Sequence, residues 1–498
     1  MISAFANSLK VPELRQRILF TLAIIVIVRL GVHIPLPGID TGVLEEWTRS
    51  QASKQEGTNA LGAILTIFSG GGLQQCGIFA LGIMPYISAS IMVQLLTVVL
   101  PQWNKISREE GGRQKITKYT RMIAIGIAII QGGFLAVNLF SHPGKIPFLQ
   151  GIERFGSLVV PMPEWQFVGS MVITITAGTM FLMWLGDQIT EKGIGNGVSL
   201  IIAVNIISAL PGAVAVAWKQ LVYAGGTLNP LGSLKLVALI AFLIFVIAAV
   251  VTVTQAQRRI TIQYAKRVVG NKEFGAPTQY LPLKLNYAGV MPIIFATAIL
   301  SLPFVILQSM FPESKFVAWC TSYLSSGSAS YYVISAALIF FFSYFWVATM
   351  FQPAQISEDL KRNGGYVPGI RPGEPTTRFL DSTMSKLTFA GSIFLTMIFF
   401  LPYIVQTSMN LDHVVGQFFG GTSLLILVGV LLDMMRQVET TLLQRNYDGF
   451  LRKGKKLGSR YDRRQGTGSA ANSTSVVVLW AIIAVLILLG IIAYTVGK

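Results

Sequence analysis

The stretch IFALGIMPYISASIMVQLLTVV, residues 78–99, decides the fold. It carries no charged side chain, and its length suits a bilayer core about 30 Å thick, which takes roughly 20 residues of helix to cross. Its opening, however, disturbs a helix, because Gly82 is followed within three residues by Pro85. Broken helices at membrane depth are tolerated only where the freed backbone groups face protein or a water-filled path. One stretch thus predicts both a membrane protein and an interior with a purpose.

Outward from this stretch, apolar runs of spanning length recur at residues 18–36, 119–139, 167–185, 196–217, 235–254, 288–311, 331–351, 387–405, 423–441 and 475–496, which makes eleven candidates in all. Composition agrees. Of the 498 residues 52% are hydrophobic and 12% charged, and the mean hydropathy is +0.61. The charged share is about half that of an average soluble domain, so a soluble fold would be left with large apolar patches in water. An all-α polytopic membrane protein is therefore the expected class. Residues 61–72 are apolar too, but the run is short and breaks at Gly70, Gly71 and Gly72. A re-entrant or half-inserted helix fits that length better than a span.

Lys and Arg set the orientation, because short loops that carry them stay in the cytoplasm. Lys10, Arg15 and Arg17 precede the first run, and Lys105, Arg108, Arg113, Lys115 and Lys118 follow the second. Further basic groups fall after the sixth run (Arg258, Arg259, Lys266, Arg267, Lys272, Lys284), after the eighth (Lys361, Arg362, Arg371, Arg378, Lys386) and after the tenth, from Arg445 to Arg464. Connections between these hold at most two Lys or Arg residues each. The N-terminus is expected inside, and with no small-residue cleavage site after the first run, that run is expected to be retained. This alternation absorbs most of the net charge of +17. The long loops 255–286 and 352–386 carry more charge and aromatic residues than orientation requires, so they could offer a cationic surface to an acidic partner or to RNA phosphates.

Catalytic chemistry has no evident place. His33, His142 and His413 lie near span ends or in outer loops, and Cys76 and Cys320 are too few and too distant for a disulfide framework or a metal site. Neither a metal nor a cofactor is expected. Pumps and intramembrane proteases carry ionisable residues deep in their spans, whereas here Arg29, Asp187, Glu191, Asp433 and Arg436 all fall near span ends, where snorkelling or pairing accounts for them. A conduit with apolar walls remains, with a coupled transporter or a pore-less insertase as the alternatives. A second glycine-rich interruption, Gly193-Ile194-Gly195-Asn196-Gly197, opens the run 196–217 much as Gly82 and Pro85 interrupt the run 78–99.

Four stretches are similar to the SecY family: residues 78–91, residues 178–197 (GTMFLMWLGDQITEKGIGNG), residues 367–374 (VPGIRPGE) and residues 419–426 (FGGTSLLI). The likeness extends over about residues 10–450, in order. It implies ten helices in two pseudo-symmetric halves, residues 1–218 and 219–444, around an hourglass pore in the bacterial inner membrane. Unfolded polypeptides would pass outward through the pore or leave sideways into lipid, with SecE, SecG, the SecA ATPase, ribosomes and signal-sequence-bearing polypeptides as partners. It also implies a constriction of Ile83, Ile87, Val198, Ile202, Ile294 and Ile426. The residues agree with that role, since both pairs are spaced i, i+4 and all six are β-branched and stiff.

A plug is implied at residues 61–74, including Leu61, Gly62, Ile64, Leu65, Ile67, Phe68, Gly70, Gly71 and Gly72, with a fixed re-entrant cap as the alternative. Partner contacts fall to Arg258, Arg259, Lys266, Arg267, Lys361, Arg362 and Arg371. The chain departs from the family after its tenth run, continuing through a basic linker, residues 445–474, into the apolar stretch 475–498. That stretch is expected to span once and to leave the C-terminus outside. A tail lying in the interface, or a small single-span partner joined to the end, are the alternatives.

Overall fold

The computed structural model describes residues 12–53, 69–222, 230–300, 328–409, 415–416 and 422–453, with short interruptions at 110, 142, 147–148, 150, 265–266, 270–271, 275–278 and 298. Most of the expected plug (Leu61 to Phe68), Lys266 and the run 475–496 lie outside the described residues.

Helices carry the architecture. α1 (Pro12–Val32) has Glu13 in its first turn and Arg29 in its last, charges that complement the helix dipole. After α2 (Thr41–Ser53) come α3 (Met84–Val99), the short α4 (Pro101–Arg108) and α5 (Gly112–Ser141), then α6 (Glu164–Lys192), α7 (Gly197–Val222) and α8 (Pro230–Gln255). Beyond the helical stretch at 291–297 follow α9 (Ala329–Met350), α10 (Pro353–Arg362), α11 (Glu374–Met409) and α12 (Thr422–Lys453). α9 starts where Ser328 caps it, the Tyr331 N–H donating to Ser328 Oγ at 3.3 Å.

Among the described residues, six helices are long and apolar enough to cross a membrane: Gln114–Ser141, Glu164–Lys192, Gly197–Val222, Leu234–Gln255, Ser330–Arg362 and Glu374–Ser408. The chain is a mostly helical, multi-pass membrane protein. The other expected spans are helical where they are described, but their shapes differ from the sequence reading. α1 carries Glu13, Arg15, Arg17 and Arg29 along its 21 residues. The run 78–99 is not one helix: residues 70–83 are turns, Gly82 adopts φ 55°, Pro85 lies in the first helical turn, and α3 keeps 16 residues.

Both long loops prove to be structured. Residues 257–284 form β1 (Gln257–Tyr264), β2 (Arg267–Val269), β3 (Lys272–Phe274) and β4 (Gln279–Lys284). β1 pairs antiparallel with β4, Gln257 opposite Lys284, and its other edge takes β5 (Gly365–Tyr366), Gln263 opposite Tyr366. β2 and β3 make a separate hairpin. The stretch expected as a loop at 352–386 contains α10, β5 and the start of the 36-residue α11, because Glu374 begins a helix and pairs with Arg378 one turn on (2.6 Å). Likewise the basic stretch from Arg445 begins as helix, since α12 continues to Lys453.

Buried apolar residues sort by position in the chain. One cluster draws only on residues 36–175, centred on Phe167, Met171 and Ile175, and another on residues 246–428, centred on Phe295, Leu395 and Leu425. Two further clusters mix early and late helices, one of them through Val430 and Met434 packed against early residues.

Candidate pore constriction

The mixed clusters hold the six residues expected at the constriction. Ile202 of α7 and Ile426 of α12 are buried in one of them, with Ile87, Val198 and Ile294 packed against it. Ile83 is buried in the neighbouring cluster, and Ile87 and Val198 touch both. Five of the six thus belong to one apolar cluster, to which α3, α7, α12 and the stretch 291–297 contribute. Exposure falls to 3% at Ile83, 8% at Ile202 and 4% at Ile426.

Local structure explains how each arrives. Ile83 is the residue before α3, yet the Ile87 N–H donates to its carbonyl (3.0 Å), which closes the first turn and stacks the two side chains. Val198 and Ile202 open α7, whose entry is tight: a Cβ on Gly197 would run into the Gly186 carbonyl of α6. The Gly197 N–H donates to Thr190 Oγ1 (2.9 Å), satisfying one of the backbone donors that a helix start leaves over. Two residues that the sequence reading missed join the group. Val290 and Val430 pack against the same cluster, and they stand at i−4 from Ile294 and i+4 from Ile426. The spacing that paired the others would have found them.

The segment 69–83 is stitched to α1 and the residues after it. Arg29 Nη1 donates to the Gly70 carbonyl (3.1 Å), the Leu36 N–H to the Cys76 carbonyl (2.8 Å) and the Ile78 N–H to the Ile34 carbonyl (2.9 Å). A bridge joins Pro35 and Gly77, and a Cβ on Gly77 would strike the Val32 carbonyl. Of the expected plug, residues 69–74 are described, with Gly70, Gly71 and Gly72 in turns rather than helix. The Arg29 guanidinium therefore serves that segment. Asp187 pairs instead with Arg121 (2.7 Å).

The polar surface lies elsewhere. Arg258 and Arg259 are exposed on β1, and Lys361 and Arg362 are exposed at the end of α10. Arg362 pairs with Glu358 (2.7 Å), a contact open to water on both sides. Arg371 is exposed just before α11, its carbonyl accepting from Thr376 Oγ1 (2.8 Å), while Ser357 Oγ donates to the nearby Gly373 carbonyl (2.7 Å). The strand β2 places the backbone of Arg267 on the separate hairpin.

Comparison with known proteins points the same way. The SecY family model matches residues 77–435. A relative from Streptomyces galbus named "Protein translocase subunit SecY" is 41% identical over 454 residues, spanning 91% of this chain and 100% of that protein. Among solved structures, the chain resembles one described as "The plug domain of the SecY protein stablizes the closed state of the translocation channel and maintains a membrane seal". The TM-score is 0.57 at 18% identity, covering 86% of this chain and 92% of that one. It also resembles Sec61 in the canine ribosome-channel complex, with a TM-score of 0.55 at 17% identity over 86% and 92% of the two chains. With the helices, the broken second run and the grouping of Ile87, Val198, Ile202, Ile294 and Ile426 in one apolar cluster already pointing to a conduit, these matches show that the chain belongs to the SecY family.

Proposed function

We propose that this chain is the pore-forming subunit of a protein-conducting channel in the bacterial inner membrane, passing unfolded secretory polypeptides across the bilayer and releasing membrane segments sideways into lipid. The observation that carries the reading is the convergence of β-branched residues from four helical segments on one apolar cluster. Ile83, Ile87, Val198, Ile202, Ile294 and Ile426 form the neck: when closed it excludes water and ions by dewetting, and when open it lines the path of a chain. Residues 61–74 act as the plug on its outer side. The halves are residues 1–218 and 219–444, a division supported by one buried cluster drawn from residues 36–175 and another from residues 246–428. The protein works as a conduit without chemistry of its own, so the work comes from partners.

SecE, SecG and SecA are the assigned partners, together with translating ribosomes, which the relation to a ribosome-bound Sec61 supports. The cytoplasmic contacts are Arg258, Arg259, Lys266, Arg267, Lys361, Arg362 and Arg371. The N-terminus is cytoplasmic. The basic linker at 445–474 stays inside, and the stretch 475–498 crosses once and leaves the C-terminus in the periplasm. Vesicles reconstituted with this chain, SecE, SecG, SecA and ATP should carry a secretory polypeptide into a protease-protected lumen. Protection that is equal with and without the chain would reject the function.

A further inference from the structure

The turn at 193–196, between α6 and α7, ends just ahead of Val198 and is held from outside at two points. The Ile194 N–H donates to Thr21 Oγ1 of α1 (3.2 Å), and the Gly195 N–H donates to Gln437 Oε1 of α12 (2.8 Å). The second bond joins residues far apart in the chain, one just ahead of α7 and one within α12, two of the segments that contribute to the neck. On α12, Ile426, Val430, Met434 and Gln437 follow at steps of four, four and three, which is the spacing of a single helix face. That face is in contact along its length. Ile426 is buried in the same cluster as Ile202, Val430 packs against the clusters that Val198 also touches, and a Cβ on Gly195 would lie 3.5 Å from Met434. Gly195 holds φ 87°, a left-handed conformation open to glycine.

We propose that Gln437 is a positioning residue for the neck: its bond to Gly195 fixes the rotation and depth of α12 against α7, and with them the meeting of Ile426 with Val198 and Ile202. The inference rests on the neck reading given above. Gln437 is exposed, so water can replace it as the acceptor when α7 and α12 separate around a passing chain. A tether of that kind holds a resting register and still yields, as a fully buried pair would not.

The test uses the full chain with its partners in planar bilayers, with Ile426→Asn as the control that wets the neck directly. Gln437→Leu removes the acceptor and Gln437→Glu keeps an oxygen in its place. With Gln437→Leu, resting ion conductance should rise roughly fivefold, the shift that losing one ordinary hydrogen bond produces, and polypeptides with defective signal sequences should be accepted. Gln437→Glu should stay within about twofold of the unaltered chain. A silent Gln437→Leu beside a leaky Ile426→Asn overturns the positioning role, as do Leu and Glu variants that leak alike. A silent Ile426→Asn defeats the neck itself and the proposal with it. Should Gln437→Leu fail to accumulate in membranes, Gln437→Ala is read against the same control and the same outcomes.

Discussion

Ile83 and Ile87 share a helix face although only Ile87 lies within α3, because one backbone hydrogen bond of 3.0 Å closes the turn between them. At this scale the sequence was informative wherever spacing and side-chain type agreed. The i, i+4 pairs could be read directly, but an apolar pair alone does not distinguish a neck from ordinary packing, and the resemblance made that distinction. Gln437 was not legible, since an exposed amide on a helix looks like any solvated position until the Gly195 N–H is seen to point at it. Cys76 offers a reporter. It is 2% exposed with φ 45°, and burial pushes its thiol up to about 12, so the reactive thiolate is scarce near neutral pH. In the resting channel Cys76 should resist a maleimide at pH 7, with labelling appearing only once a polypeptide is stalled in the pore and the segment 69–83 has moved. Equal labelling of resting and occupied channels would show that this segment is no part of the moving seal. Cys320, replaced by Ser, is removed from the measurement.

Among the elements, the sheet of β4, β1 and β5 was the part least visible in advance. Ile260 and Ile262 on β1 and Leu283 on β4 turn inward while their neighbours are more exposed, so a period of two was present in the sequence. Flanking spans and many charges drew the reading toward a loop. The start of α11 was hidden for a similar reason, because Glu374 and Arg378 looked like loop charges when they are an i, i+4 pair on a helix. Spanning runs were easier, since in lipid every backbone donor must be satisfied within the helix. Arg371 belongs to this scale, because the Thr376 and Ser357 hydroxyls hold the turn around it while its own side chain faces water. Such a fixed, exposed cation is suited to meeting a partner. Arg371→Glu should lower SecA-driven translocation by about tenfold, through slower and more salt-sensitive docking. Membrane topology should not change, because one of several basic residues in that connection is lost. Unaltered transport at low and high salt would remove Arg371 from the contact surface.

For the molecule as a whole, the arrangement follows from where apolar residues can find partners. Early helices bury Phe167 and Met171 among themselves, late helices bury Phe295 and Leu425, and the β-branched residues of the neck fall in a third cluster that draws on both. Composition and charge alternation were enough to predict a multi-pass membrane protein. They were not enough to predict which apolar faces meet each other and which meet lipid, since both look alike in sequence. The orientation proposed for the C-terminal stretch can be read with a tag at residue 498. Protease added to intact spheroplasts should cut it, whereas cleavage confined to inverted vesicles would place the C-terminus inside.

The central claim is that a polypeptide passes through the neck, and site-specific photo-crosslinking tests it most directly. A photoreactive residue is placed in turn at Ile202, Ile426, Ile130 and Ile173, the last two being 71% exposed on the outer faces of α5 and α6, and a hydrophilic stretch of a secretory polypeptide is stalled in the channel. The account predicts adducts from Ile202 and Ile426 and none from Ile130 or Ile173. Adducts from the outer positions, with Ile202 and Ile426 silent, would contradict it.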